Sequence, residues 1–261
     1  YVLINGNQIV MIFLNYLMTR NTELGTLTGN EYIVKTIVTT ETIRTIAEAQ
    51  HIKMYDCFTG FKWIANVMRE NEGKARYLGG GEESYGFLAE DFVRDKDSVS
   101  AISLMAEIAA WAKDKGLNMT DMLIDIYMKY GFSREKGISL VRKGKSGAEE
   151  IIALMKQFRE NPPKEIAGSP VVTVKDFQSL VETNVATGET KKLDMPATSN
   201  VLQYYTADRT KVSVRPSGTE PKIKFYIEVH DTLASADEYK ATEARADEKI
   251  GRIAKEFGIT K

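Results

Sequence analysis

The chain has 261 residues, 43% of them hydrophobic and 27% charged, enough to bury a sizeable core and to build about two compact domains. That composition excludes intrinsic disorder, collagen-like repeats and a disulfide-stapled scaffold. Thirty-five Lys and Arg nearly cancel 36 Asp and Glu, leaving a formal charge of -1, so there is no broad electrostatic footprint for nucleic acid or an acidic membrane, and any bound anion must be held locally. The single cysteine, Cys57, permits no internal disulfide and suits a reducing cytoplasm.

At the start of the chain, 1–20 predicts a strand tail, an Asn5-Gly6 turn and an apolar helix without a sheet of its own, the end of a larger fold that begins before Tyr1. The apolar run from Ile9 to Met18 is broken by Asn15 and falls short of the roughly 20 residues that span a bilayer. It also lacks the basic start and cleavage site of a signal peptide. From Tyr32 onward β-branched runs alternate with amphipathic segments: strand 33–38, helix 42–49, strand 52–55, helix 62–71. This order predicts βαβ units around a mostly parallel sheet. The apolar pair Tyr77 and Leu78 leads into a glycine-rich stretch, 79–86, followed by a helix with Ala101, Ile102, Met105, Ile108 and Ala112 on one face. A second helix follows, with Thr120 as N-cap and Gly131 as its stop. Beyond a Gly, Lys and Ser-rich hinge at 143–148, a helix near 149–160 precedes strands at 171–174, 201–205, 211–214 and 222–229. A final helix opens with a Ser235/Glu238 capping box and buries Tyr239, Thr242, Ala246, Ile250, Ile253 and Phe257. The periodicities predict an α/β domain, a mixed sheet with helices on both faces, followed by a smaller α+β domain, an antiparallel sheet with packed helices.

Three loops carry residue types suited to chemistry. Arg215-Pro216-Ser217-Gly218-Thr219-Glu220-Pro221 joins two strands of two-residue alternation. An arginine fork, two hydroxyls and a glycine that admits backbone N–H groups together suit a phosphate, although a tight turn stiffened by two prolines accounts for the same residues. Gly81-Glu82-Glu83-Ser84-Tyr85-Gly86 sets carboxylates beside a serine where open α/β sheets bind ligands, which suits vicinal sugar hydroxyls. A solvated acidic loop is the plainer alternative. Thr59-Gly60-Phe61-Lys62 puts a lysine at a helix start, against the dipole, as an anionic ligand or proton transfer would require; an ordinary surface lysine is the competing account. Other patterns fail. Gly144-Lys145-Ser146 lacks the P-loop glycine, because Ser139 stands there, and Gly79-x-Gly81 lacks its third glycine at Ser84. His51 and His230 have no ligand spacing around them, and Cys57 has no neighbouring histidine, so a buried structural thiol is expected.

Taken in order, the three loops and the stretch Arg94-Asp95-Lys96-Asp97 resemble the α-D-phosphohexomutase superfamily, in its phosphoglucomutase and phosphomannomutase branch. The resemblance implies that 1–30 is the tail of a preceding metal-binding domain, 31–147 the third, sugar-binding domain and 148–261 the fourth, phosphate-binding domain. It implies interconversion of sugar 1-phosphates and 6-phosphates through a bisphosphate such as glucose 1,6-bisphosphate. Glu82 and Ser84 would hold the sugar hydroxyls at the 3 and 4 positions. Arg215, Ser217, Gly218 and Thr219, helped by Lys222, would grip the phosphate that is not being transferred. Lys62 matches a position near the transferring end, with a role in acid–base chemistry. The nucleophilic phosphoserine and the aspartate-rich loop for Mg2+ would lie before Tyr1, so the chain alone is expected to be inactive and to work with those N-terminal domains in the cytoplasm, without nucleic acid or membrane. The Glu-Glu-Ser-Tyr form leans toward glucose, with mannose and pentose phosphates open. A stand-alone sugar-phosphate-binding module is the alternative from another class.

Overall fold

The computed structural model describes residues 3–142, 144–218 and 220–260, apart from the side chain of Lys145. The chain divides into two units, Tyr1–Phe132 with Leu233–Ala236, and Ser133–Thr232 with Asp237–Lys261. The sequence boundary at 147/148 and the assignment of 1–30 to a preceding domain differ from this division. Most of the predicted hinge is helical, since a helix starts at Gly144; Lys143 lies outside the described residues.

The first unit runs α1 (Gly6–Glu23), β1 (Glu31–Thr36), α2 (Thr42–Ala49), β2 (Lys53–Cys57), α3 (Phe61–Asn71), β3 (Arg76–Gly81), β4 (Phe87–Ala89), α4 (Ser98–Asp114) and α5 (Met119–Tyr130). Its sheet has the order β2-β1-β3-β4. β1 is parallel to β2 and β3, and β4 returns antiparallel to β3, which is the mixed sheet that the alternating pattern predicts. One face packs Tyr32, Val34, Cys57, Tyr77 and Leu88 against Phe61, Ile64, Val67 and Met68 of α3.

The other face receives α1, and here the glycines matter. A Cβ on Gly79 would lie 3.0 Å from Leu17 Cδ1 and 3.2 Å from Leu14 Cδ2, and one on Gly81 would lie 2.7 Å from Val10 Cγ2. The run after Leu78 is therefore the second half of β3, where the sequence suggests a loop, and its bare positions let a helix lie close on the strand. Val10, Ile12, Leu14 and Met18 of α1 are at most 1% exposed, so the helix that lacked a sheet in the sequence has one within this unit. Its start is not a turn but a capping box: Asn5 Oδ1 accepts from the Gln8 N–H at 3.0 Å, and Gln8 Oε1 accepts from the Asn5 N–H at 2.9 Å. The N-cap of α5 is Asn118 rather than the expected Thr120. Its carboxamide oxygen accepts from the N–H groups of Thr120 and Asp121, and the Asp121 carboxylate closes a second box.

The second unit contains the rest of β5 (Phe132–Val141), then α6 (Gly144–Glu160), β6 (Glu165–Ile166), β7 (Ser169–Asp176), β8 (Val181–Asn184), β9 (Thr190–Lys192), β10 (Leu202–Thr206), β11 (Lys211–Pro216), β12 (Lys222–Asp231) and α7 (Tyr239–Glu256). The strands are ordered β5-β12-β11-β10-β7-β8-β9, with β6 on β7. The pairs from β12 through to β9 are antiparallel. Phe225 of β12 meets Phe158 and Phe257, each at a ring separation of 6.0 Å, Tyr204 of β10 meets Phe257 at 6.4 Å, and Phe158 and Phe257 lie 5.6 Å apart; these contacts seat α6 and the end of α7 on the sheet. The predicted Ser235/Glu238 box does not form: Ala236–Glu238 is a 3-10 turn, and Glu238 makes no side-chain cap bond because it already has helical backbone angles. Off the apolar face, Lys211 and Glu228 are register partners on β11 and β12, their charges 2.8 Å apart and nearly inaccessible, and His230 Nε2 lies 3.1 Å from the same carboxylate. Among the described residues, no helix is long and apolar enough to cross a membrane.

Candidate functional site

In the first unit the carboxyl ends of β1, β2 and β3 deliver three loops to one edge of the sheet, the edge at which parallel sheets bind ligands. The loop after β3 is a five-residue hairpin into β4. Its ends are tied by the Glu82 N–H donating to Gly86 O at 2.8 Å, and its interior by the Tyr85 N–H donating to Glu82 O at 3.1 Å. Tyr85 sits at φ +73° with its ring exposed.

The two acidic side chains of this loop diverge. Glu82 is 8% exposed and its Oε1 accepts from the Gly60 N–H at 2.8 Å. Gly60 is the N-cap of α3, at φ +104°, so a carboxylate occupies the positive end of that helix. Glu83 turns toward β1, where its Oε2 lies 3.2 Å from Thr36 Oγ1 and 3.4 Å from Thr39 Oγ1. Ser84, between them and the tip, is exposed. Behind the loop stands the first turn of α1: a Cβ on Gly6 would come within 2.0 Å of Glu83 O and 3.0 Å of Tyr85 N. Asn7 on the same turn accepts from the Thr40 N–H at 3.0 Å.

Two of the three sequence motifs thus meet, through Glu82 and Gly60. Lys62 itself is exposed, with Nζ 5.4 Å from the centroid of the Trp63 ring. Residues that the sequence did not single out complete the surroundings. Thr36 and Thr39 are two of them; their sequence signal is a pair of hydroxyl side chains at and just past the end of a β-branched strand. Lys96, from the stretch 94–97 that the sequence did mark, joins them: its Cδ would lie 3.3 Å from a Cβ on Gly86, and with Tyr85, Gly86, Phe87, Ile9 and Phe13 it lines a pocket of about 550 Å³.

Below the edge, charges are already balanced. Lys35 is fully buried, with Nζ 2.8 Å from Asp56 and 2.9 Å from Glu41, and Arg44 engages both carboxylates from the outside. Burial, and then the Asp56 charge, push the adjacent Cys57 thiol well above its ordinary range, so it is inert as a nucleophile. Among the described residues no group of three or more His, Cys, Asp and Glu side chains is arranged to hold a metal ion. Glu41 and Asp56, with cations already between and beside them, do not suit Mg2+.

In the second unit the third motif closes the β11–β12 hairpin. Arg215 pairs with Lys224 and Pro216 with Ile223. Past them the Ser217 N–H donates to Lys222 O at 2.7 Å, the Lys222 N–H to Glu220 O at 2.7 Å and the Glu220 N–H to Ser217 Oγ at 3.3 Å. The residue just past β5 supports the loop: the Arg142 N–H donates to Pro221 O at 2.9 Å. Arg215 is half-buried, Lys222 Nζ is 3.5 Å from Glu220, and Gly218 is exposed, where an added Cβ would meet nothing within 4 Å among the described residues. Thr219 lies outside the described residues.

Comparison with known proteins agrees with both halves. Residues 5–130 match the pattern of phosphoglucomutase/phosphomannomutase, alpha/beta/alpha domain III, and residues 155–246 match the C-terminal domain of the same family. A phosphoglucomutase of Staphylococcus epidermidis is 35% identical over 85% of this chain and 40% of its own length. One from Staphylococcus aureus is 34% identical over 85% and 39%. The chain therefore spans about 40% of the length of these relatives. Among solved structures, the exocytosis-sensitive phosphoprotein pp63/parafusin of Paramecium, named a phosphoglucomutase, superposes with a TM-score of 0.61 at 16% identity, over 99% of this chain and 42% of its own. A phosphoglucomutase/phosphomannomutase family protein of Burkholderia thailandensis gives 0.55 at 17%, over 98% and 42%; at such identities the likeness is one of fold. With domain III and the C-terminal domain matched in order along the chain, and a relative 35% identical over 85% of it, the chain belongs to the phosphoglucomutase/phosphomannomutase family.

Proposed function

We propose that this chain supplies the sugar-hydroxyl grip and the phosphate grip of a phosphohexomutase that interconverts a sugar 1-phosphate and a sugar 6-phosphate, glucose being the favoured sugar, through a bound bisphosphate. The observation that carries this reading is the Glu82 carboxylate, ordered by the Gly60 N–H on the same five-residue turn that leaves Ser84 exposed. A carboxylate that accepts and a hydroxyl that both donates and accepts are what two neighbouring sugar hydroxyls require. Arg215 would offer its fork to the resting phosphate, Ser217 its hydroxyl and Gly218 its backbone, with Thr219 and Lys222 alongside. A mutase must treat both ends of one sugar alike, so these two grips stay constant while the reacting end changes, and their binding energy goes into positioning.

Lys62, exposed at the start of α3, is the proposed proton-transfer group. The phosphoserine nucleophile and Mg2+, which would stabilise the phosphoryl group in flight, belong in this reading to domains outside the chain. A cytoplasmic location is part of the same proposal. The test follows several sugar 1-phosphates by phosphorus NMR with the full-length protein. Conversion of glucose 1-phosphate that Arg215→Ala abolishes supports the assignment, unchanged affinity for sugar phosphates in that variant sinks the phosphate grip, and turnover by the 261-residue chain alone sinks the division of labour. The burial of α1 makes the first unit self-contained, which favours a binding module without catalysis as the second reading; turnover by the full-length protein decides against it.

A further inference from the structure

We propose that Glu83 is a positioning residue for the sugar-hydroxyl loop: anchored between Thr36 and Thr39 at the end of β1, its carboxylate fixes Ser84 relative to Glu82 at the spacing the substrate's vicinal hydroxyls need. This inference rests on the reading of Glu82 and Ser84 given above.

The geometry gives the loop two side-chain anchors on two different neighbours. Glu82 is tied to the start of α3 through Gly60, and Glu83 to the end of β1 through the two threonines. Ser84 follows directly and its side chain is exposed, so it has no wall of its own to orient it. Displacing the backbone that carries Ser84 away from Glu82 works against the Glu83 anchor.

The anchor has the right chemistry for that task. Thr36 and Thr39 also lie 2.8 Å from each other, and each hydroxyl carries one proton. Two protons therefore serve three close oxygens, and whichever threonine donates to the other, a proton remains for the carboxylate. Hydrogen bonds to an ionised acceptor are about twice as strong as neutral ones. The loop's backbone adds a third constraint, because Gly6 presses against Glu83 O and Tyr85 N. A loop ordered before the ligand arrives loses less entropy on binding, and the gain appears as affinity.

The experiment uses the full-length protein and measures affinity for glucose 1-phosphate and for inorganic phosphate by calorimetry, with thermal unfolding alongside. Glu83→Ala is expected to weaken glucose 1-phosphate binding about tenfold while inorganic phosphate binding stays within about twofold, and Glu83→Gln, which keeps an acceptor oxygen, to recover to within about threefold. If Glu83→Ala fails to fold, the shape-conserving pair Thr36→Val with Thr39→Val replaces it under the same criteria. Unchanged glucose 1-phosphate affinity, or an equal loss for both ligands, overturns the positioning role. Glu82→Ala separates the two layers: if that variant binds glucose 1-phosphate normally, the reading of the loop itself fails, whereas a weakened Glu82→Ala beside a normal Glu83→Ala removes only the inference about Glu83.

Discussion

Residues 82–86 and 217–221 both close hairpins, between β3 and β4 in the first unit and between β11 and β12 in the second, yet different atoms hold them. The first loop is fixed by its own acidic side chains, which reach Gly60, Thr36 and Thr39. The second is fixed at its base by strand register and mainly by backbone bonds, including the one from Arg142, with the Ser217 hydroxyl accepting from the Glu220 N–H, and among the described residues a Cβ on Gly218 would meet nothing within 4 Å. A loop that uses side chains for its own support passes neighbouring disturbances to its ligand groups. A loop held mainly by backbone owes less of its stability to its side chains, so a substitution there is expected to change binding more than stability.

The sharpest way to break this comparison is Gly6→Ala. The new methyl would meet a backbone oxygen at 2.0 Å with no flexible end to yield, so denaturant unfolding should show a loss of about 3 kcal/mol or more. A neutral result would mean that the first loop is not backed by α1. Next is Arg215→Ala, which should reduce sugar-phosphate affinity roughly 10- to 100-fold, as for a lost charged hydrogen-bond pair, with the unfolding midpoint nearly unmoved. Gly86→Ala sharpens the contrast, because its methyl would sit 2.8 Å from Glu82 Oε2, a movable carboxylate. Calorimetry should find binding weakened by several-fold, roughly 1 kcal/mol, at little cost in stability. The smallest effect is expected from Gly218→Ala, with nothing within 4 Å of the added carbon and stability within about 0.5 kcal/mol of the parent. Equal losses at Gly86 and Gly218 would dissolve the distinction between the loops.

Much of this was legible in residue order. The run that forms β1 carries the β-branched Ile33, Val34 and Thr36, and the alternation of Ile223, Phe225, Ile227 and Val229 marks the buried side of β12. The motif loops were found because their residue types are unusual together. What escaped has physical causes. β5 carries Arg134, Glu135, Lys136 and Gly137 in its middle and lies at the sheet edge, where burial imposes no clean period. β8 and β9 are short and half or fully exposed. Gly79 to Gly81 read as a loop because the role of Gly79 and Gly81 is an absence of side chain under α1. Thr36 and Thr39 stand 47 and 44 positions from Glu83, and only the adjacency of β1 and β3 brings them together.

The bare positions at Gly79 and Gly81 carry a wider consequence. A methyl at either would lever α1 away from the strand, and the front of that rod abuts the turn that follows the same strand. Tolerance to mutation in the first unit should therefore be lowest at residues remote from any ligand, along the contact of helix and glycines, where a single added carbon detunes recognition from behind.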